Sequence, residues 1–136
     1  MRLPKLEVLQ VLVGTWIVSG LAAEKYITLG KITYRWMEGR FFMLREVDLS
    51  LENQQHSSLS IIHYDDLEDV FRMQTFDNNG VISISDMNVE GDAIYIHGDE
   101  NRFSGKVSEE VMVLQWEKRQ SYKWHNWMEL KLTKTV

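Results

Sequence analysis

The sequence predicts an all-β fold: a closed antiparallel up-and-down barrel of about ten strands with a short N-terminal helix. Three observations carry this. From Gly14 onward, apolar and polar residues alternate in short segments rich in β-branched and aromatic side chains. Clusters of turn-forming residues separate those segments at near-regular intervals. Pro4 is the only proline in the chain, so nothing of that kind interrupts the strand series.

The elements follow in order. Pro4 suits the first turn of a helix, and Leu6, Leu9, Leu12 and Val13 form one apolar stripe that stops near Gly14. A secretory signal is the rival reading of this segment, with Arg2 and Lys5 as its charged start and Leu21-Ala22-Ala23 as a cleavage site. Glu7 and Gln10 break the apolar run that a signal requires, which favours the helix. No other apolar run is long enough to span a membrane as a helix. Strands are expected near 15–22, 29–37, 40–49, 57–64, 70–76, 81–88, 93–97, 101–107, 111–118 and 124–134. Turns are expected at Glu38-Gly39, 51–55, 65–69, Asp77-Asn78-Asn79-Gly80, Glu90-Gly91-Asp92, 98–101, Ser108-Glu109-Glu110 and 119–123. Short turns make successive strands antiparallel neighbours, and a long meander of such strands closes on itself to remove its edges. No linker or repeat divides the chain, so residues 1–136 form a single domain.

Composition narrows the function. Hydrophobic residues make up 44% and charged residues 26%, enough for a sizeable core. The absence of cysteine excludes disulfides, a thiol nucleophile and a zinc–thiolate site, and is compatible with a cytoplasmic location. A net charge of -5 argues against general binding to nucleic acid or anionic membranes.

Alternation suggests which side chains face inward. Met43, Arg45, Val47 and Leu49 share a face with Phe41. Ile32, Tyr34 and Trp36 share one, as do Phe71, Met73 and Thr75, and Met112, Leu114 and Trp116. Several strands are apolar on both faces, which calls for an extra covering, supplied either by the helix or by a second copy of the chain in a homodimer.

Candidate chemistry is sparse. Of the four histidines, His63 shares parity with Leu59 and Ile61, and His97 with Tyr95. Either is read as a hydrogen-bonded wall residue or as a ligand-binding group in the interior. No histidine spacing marks a zinc site, and no metal is expected. Between Glu46 and Glu100 the only basic residue is Arg72, but most acids there sit at turns and are read as solvated hairpin tips. Asp77-Asn78-Asn79-Gly80 lacks the later bidentate glutamate of a calcium loop and is read as a hairpin. Arg45, Glu117 and Glu129 each share a face with large apolar residues. Facing inward they would need partners and would orient a polar head group; facing outward they are solvated. There is no Gly-x-Ser-x-Gly elbow and no phosphate-cradling glycine loop.

The chain has five tryptophans. Trp16 is read as core packing, while others suit a pocket for a flat or apolar ligand. The candidate ligand-binding set is Tyr34, Trp36, Met43, Arg45, His63, Met73, Tyr95, His97, Trp116, Trp127 and Glu129.

Several segments carry a resemblance. Leu12-Val13-Gly14-Thr15-Trp16 after a short helix looks like the Gly-x-Trp opening of lipocalin-like (calycin) barrels. It is followed in order by Tyr34-Arg35-Trp36-Met37-Glu38-Gly39-Arg40-Phe41-Phe42, Ile61-Ile62-His63-Tyr64-Asp65, Phe76-Asp77-Asn78-Asn79-Gly80 and the closing Trp124-His125-Asn126-Trp127-Met128-Glu129-Leu130. Together these resemble a bacterial family of lipocalin-like domains of unknown function. The resemblance implies a calycin-type barrel with an internal cavity and implies no reaction. The nitrobindin-like haem barrels share a Gly-x-Trp-x-Gly-x-Gly opening; here Val18 stands where that motif has glycine, which weakens a haem reading.

The expected function is therefore non-catalytic binding of a small, largely apolar or amphipathic molecule in the barrel interior, with no cofactor. Three alternatives remain. One is a haem or nitric-oxide barrel, with His125 nearest the C-terminal strand. Another is an enzyme built on Glu117, Glu129, His63 or His97. The third is a dimeric interaction module.

Overall fold

The computed structural model describes residues 4–135 of the chain. A 3-10 helix at Pro4–Leu12 leads into ten strands: β1 Gly14–Ala22, β2 Lys25–Trp36, β3 Met43–Leu51, β4 Gln54–Asp65, β5 Val70–Asp77, β6 Ile82–Glu90, β7 Ala93–His97, β8 Asn101–Val107, β9 Val111–Gln120 and β10 Lys123–Lys134. Each strand pairs antiparallel with the next, and β1 pairs with β10 to close the barrel. The fold class is that expected from the alternation. Among the described residues no helix is long and apolar enough to cross a membrane.

The helix is wound at three residues per turn, which fits its sequence. A spacing of three places Leu6, Leu9 and Leu12 one above another, and all three are fully buried. They plug one end of the barrel above Trp16, which is 0% exposed and whose Nε1 donates to the Leu12 carbonyl at 2.9 Å. Other bonds pin the helix in place. Trp36 Nε1 donates to Gln10 Oε1 (2.9 Å), Lys5 Nζ meets Asp69 (3.1 Å), and Lys134 Nζ reaches the Val11 carbonyl (3.3 Å) near the helix C-terminus. At this closed end Met43, Ile62, Met87, Ile94 and Met112 pack without exposure.

The opposite end is rimmed by tight turns. Three of them, at Ala23-Glu24, Glu52-Asn53 and Ser121-Tyr122, have positive φ at both central residues without any glycine. β7 is short, so residues 82–85 of β6 have no partner on that side, and the wall is lower there.

Two irregularities reset the inward and outward faces. In β2 an extra residue, Leu29, falls where the pairing with β1 shifts between Val18 and Ser19. Gly30 sits beside it at φ 150°, and a Cβ there would lie 2.0 Å from the Asp48 carbonyl oxygen. In β10 the pairing with β9 shifts between Asn126 and Met128, leaving Trp127 as the extra residue.

The helix closes an end of the barrel and does not cover its outer wall. Leu59, Phe76 and Ile82 lie directly opposite one another across β4, β5 and β6, and are 40%, 38% and 61% exposed. Phe41, expected to share the inward face with Met43, lies in the loop before β3 and is exposed.

Candidate functional site

The rimmed end opens into a cavity of about 780 Å³, within the range typical of small-molecule sites. Its walls differ. One is apolar, with Ile96, Phe103, Leu114, Leu130 and Leu132. The other is crossed by a polar row. The register places Tyr34 opposite Arg45, Arg45 opposite Ser60, Ser60 opposite Thr75, and Thr75 opposite Ser83, so five adjacent strands each contribute one inward polar side chain. The next row toward the helix is mostly apolar: Trp36, Met43, Ile62 and Met73 stand opposite one another in turn, and Ser85 ends it.

The polar row is bonded within itself. Arg45 Nε donates to Tyr34 Oη at 3.1 Å, and the Arg45 guanidinium carbon lies 5.8 Å from the Tyr34 ring centre. The Ser60 and Thr75 hydroxyls share a 2.7 Å hydrogen bond, and Ser60 has no exposure. No acid lies within ion-pair distance of Arg45 among the described residues. At the mouth, Trp116 packs on Phe103 (4.9 Å between ring centres) and edge-on against Trp127 (4.2 Å), and its Nε1 donates to Asn101 Oδ1 at 2.9 Å. Lys118 Nζ lies 3.5 Å from the Trp127 ring centre, a cation–π contact. Asp77 Oδ1 accepts the backbone N–H groups of Asn79 and Val81, which fixes the β5–β6 turn on the rim.

Of the candidate set from the sequence, Tyr34, Arg45, Met73 and Trp116 line this cavity together. Trp127 packs behind Trp116 at the mouth. Trp36 and Met43 point inward at the closed end, where Trp36 holds the helix and Met43 is packed solid. The other four lie on the outer wall. Ile94 and Ile96 take the inward positions of β7, so Tyr95 is 50% exposed and His97 lies outside, edge-on to Trp124 at 5.5 Å. His63 stands opposite Arg72 on the outer face, because pairing with β3 turns Ser58, Ser60 and Ile62 inward and Leu59, Ile61 and His63 outward. Glu129 neighbours the inward Leu130 and accepts a hydrogen bond from Tyr26 Oη. That bond raises the Tyr26 pKa. The bulge at Trp127 explains why Glu129 and Trp127, two residues apart, do not share a face.

Glu117 also lies on the outer wall. It is paired through both oxygens with Arg102 Nε (2.9 Å) and Nη2 (3.2 Å), and those hydrogen bonds hold its carboxyl below the usual range. Arg102 in turn stacks 4.4 Å from the Trp124 ring centre. An acid–histidine enzyme inside the barrel would need two such groups within reach in one cavity, and His63, His97, Glu117 and Glu129 do not form that arrangement. His56 is the one histidine lining the cavity, at its mouth. Among the described residues no group of three or more His, Asp or Glu side chains is placed to hold a metal ion.

The candidate set lacks Ser60, Thr75 and Ser83, of which only Thr75 is placed by alternation, on the face of Phe71 and Met73. The available signal was the two-residue hairpin at Glu52-Asn53, which sets the β3–β4 register and hence which half of 57–64 faces in. No family model matches the chain, and no curated protein matches it.

Proposed function

We propose that this protein is a lipocalin-like binding barrel that holds a small amphipathic molecule in the open-end cavity without transforming it. The observation carrying this reading is the cavity itself, with one apolar and one polar wall beneath a mouth framed by aromatic rings. Apolar surface facing a water-filled cavity is stabilised when a ligand displaces that water. The hydroxyls opposite fix the ligand's orientation. The residues that line the cavity include no paired acid and base such as proton transfer requires.

The test is titration with decanol, followed through tryptophan fluorescence, in the wild type and in Leu114→Trp. Saturable binding of one molecule per chain is expected, with a change at Trp116, and the bulkier side chain abolishes it while circular dichroism stays that of a folded barrel. Absence of saturable binding, or binding unaffected by Leu114→Trp, refutes the reading.

A second reading, self-association, is favoured by the exposed outer row Leu59, Phe76 and Ile82. Sedimentation across a concentration series tests it: a mass that stays at 16.0 kDa excludes it.

A further inference from the structure

We propose that the head group of the cavity's ligand is a carboxylate, seated on Arg45 and Tyr34, with its apolar tail against Ile96, Leu114 and Leu130. This deepens the binding reading and rests on it.

Arg45 is the only permanently cationic side chain among the residues lining the cavity, and among the described residues it has no acidic partner. Tyr34 Oη accepts from Arg45 Nε, so its own proton is free to donate. With Nε engaged, the two terminal Nη groups present a parallel pair of donors, the geometry that meets both oxygens of one carboxylate. When the buried Ser60 hydroxyl donates to Thr75 Oγ1, the Thr75 hydroxyl, which lines the cavity, keeps its own proton as a further donor. Tyr34 and Arg45 sit directly opposite each other on adjacent strands and present their donors together, and Thr75, two strands further along the same row, lines the same wall.

A wall that offers donors and one unpaired cation matches a group that only accepts. An alcohol uses part of that capacity, and an ammonium head is repelled. Asp77, Asp99 and Glu100 do not alter the match, because they lie at the mouth, where Asp77 already accepts two backbone N–H groups. They slow an anion's entry more than they oppose it once seated.

The experiment compares decanoate, decanol and decylamine, three probes with the same tail, by calorimetric titration at neutral pH. The wild type is expected to bind decanoate about tenfold or more tightly than decanol, since charge-assisted hydrogen bonds exceed neutral ones by that order. Decylamine is expected to bind weakest. Arg45→Gln abolishes the preference by lowering decanoate affinity about tenfold or more, to the level of decanol. Tyr34→Phe, which keeps the charge, lowers decanoate affinity by a smaller factor.

Equal affinity for decanoate and decanol in the wild type overturns the carboxylate assignment and leaves the binding reading standing. A preference that survives in Arg45→Gln also overturns it. If none of the three probes binds, both readings fail together.

Discussion

The two ends of the barrel use the same strands for different ends. At the helix end, rows of Met43, Ile62, Met87 and Met112 meet under Leu6, Leu9, Leu12 and Trp16 without exposure. At the other end the inward row changes to Tyr34, Arg45, Ser60, Thr75 and Ser83, and the interior opens. Large apolar side chains fill a barrel, whereas short hydroxyl side chains in the same positions leave a void and line it with hydrogen-bonding groups. The closed end therefore concentrates the packing energy, and the open end presents an apolar surface beside unsatisfied donors.

This contrast can be broken by mutation. The largest effect is expected for Trp16→Ala, which removes a fully buried indole and its bond to the Leu12 carbonyl. It should cost about 3–5 kcal/mol in urea unfolding. A loss near zero would mean the helix end is not packed as described.

A paired comparison comes next. Met112→Ala at the closed end should cost about 2–5 kcal/mol, while Met73→Ala beside the void should cost markedly less. Equal costs would indicate that the space next to Met73 is filled.

The clasp between helix and barrel can be read by titration. Tyr64 Oη donates to Asp69 at 2.6 Å, and this bond, with burial and nearby acids, pushes the Tyr64 pKa up to about 12. The same bond, with Lys5, holds Asp69 below the usual carboxylate range. The signs are opposite. Tyr64's contribution to stability is complete below its unfolded pKa and is lost as pH rises through about 12. Asp69's is present above the ordinary carboxylate range and lost as pH falls through its lowered value. In Asp69→Asn, phenolate absorbance should show Tyr64 titrating closer to about 10. An unchanged titration would remove Asp69 as the cause.

The smallest effect belongs to the rim. Replacing Ala23-Glu24 by Asn-Gly relieves two positive-φ positions and should stabilise by about 1 kcal/mol without altering ligand binding. A destabilised variant would show that the turn is not under backbone strain.

Strand positions are legible in the sequence because turn residues and alternation are local signals. The inward faces of β3, β5 and β9 are legible too, since Met43, Phe71, Met73, Met112 and Leu114 mark them strongly. The face of β4 is not. Leu59 and Ile61 outweigh Ser58 and Ser60 in hydrophobicity, yet the register from the Glu52-Asn53 hairpin turns the serines inward. In β7, Ile94 and Ile96 compete with Tyr95 and His97, and hydrogen bonding to β6 and β8 decides the outcome. In β10, one bulge shifts every parity assignment on one side of Trp127. Tyr34 and Arg45 of the polar row are in the candidate set and Thr75 shares the face of Met73, whereas Ser60 and Ser83 escaped notice because their inward placement depends on pairing between strands.

A ligand seated in the hollow end of the barrel would leave the solid helix end untouched. Methyl NMR of the methionines during addition of decanol tests this most directly. A saturable shift of the Met73 methyl is expected, with Met43, Met87 and Met112 unmoved. Shifts at Met43 or Met112, or none at Met73, would contradict it.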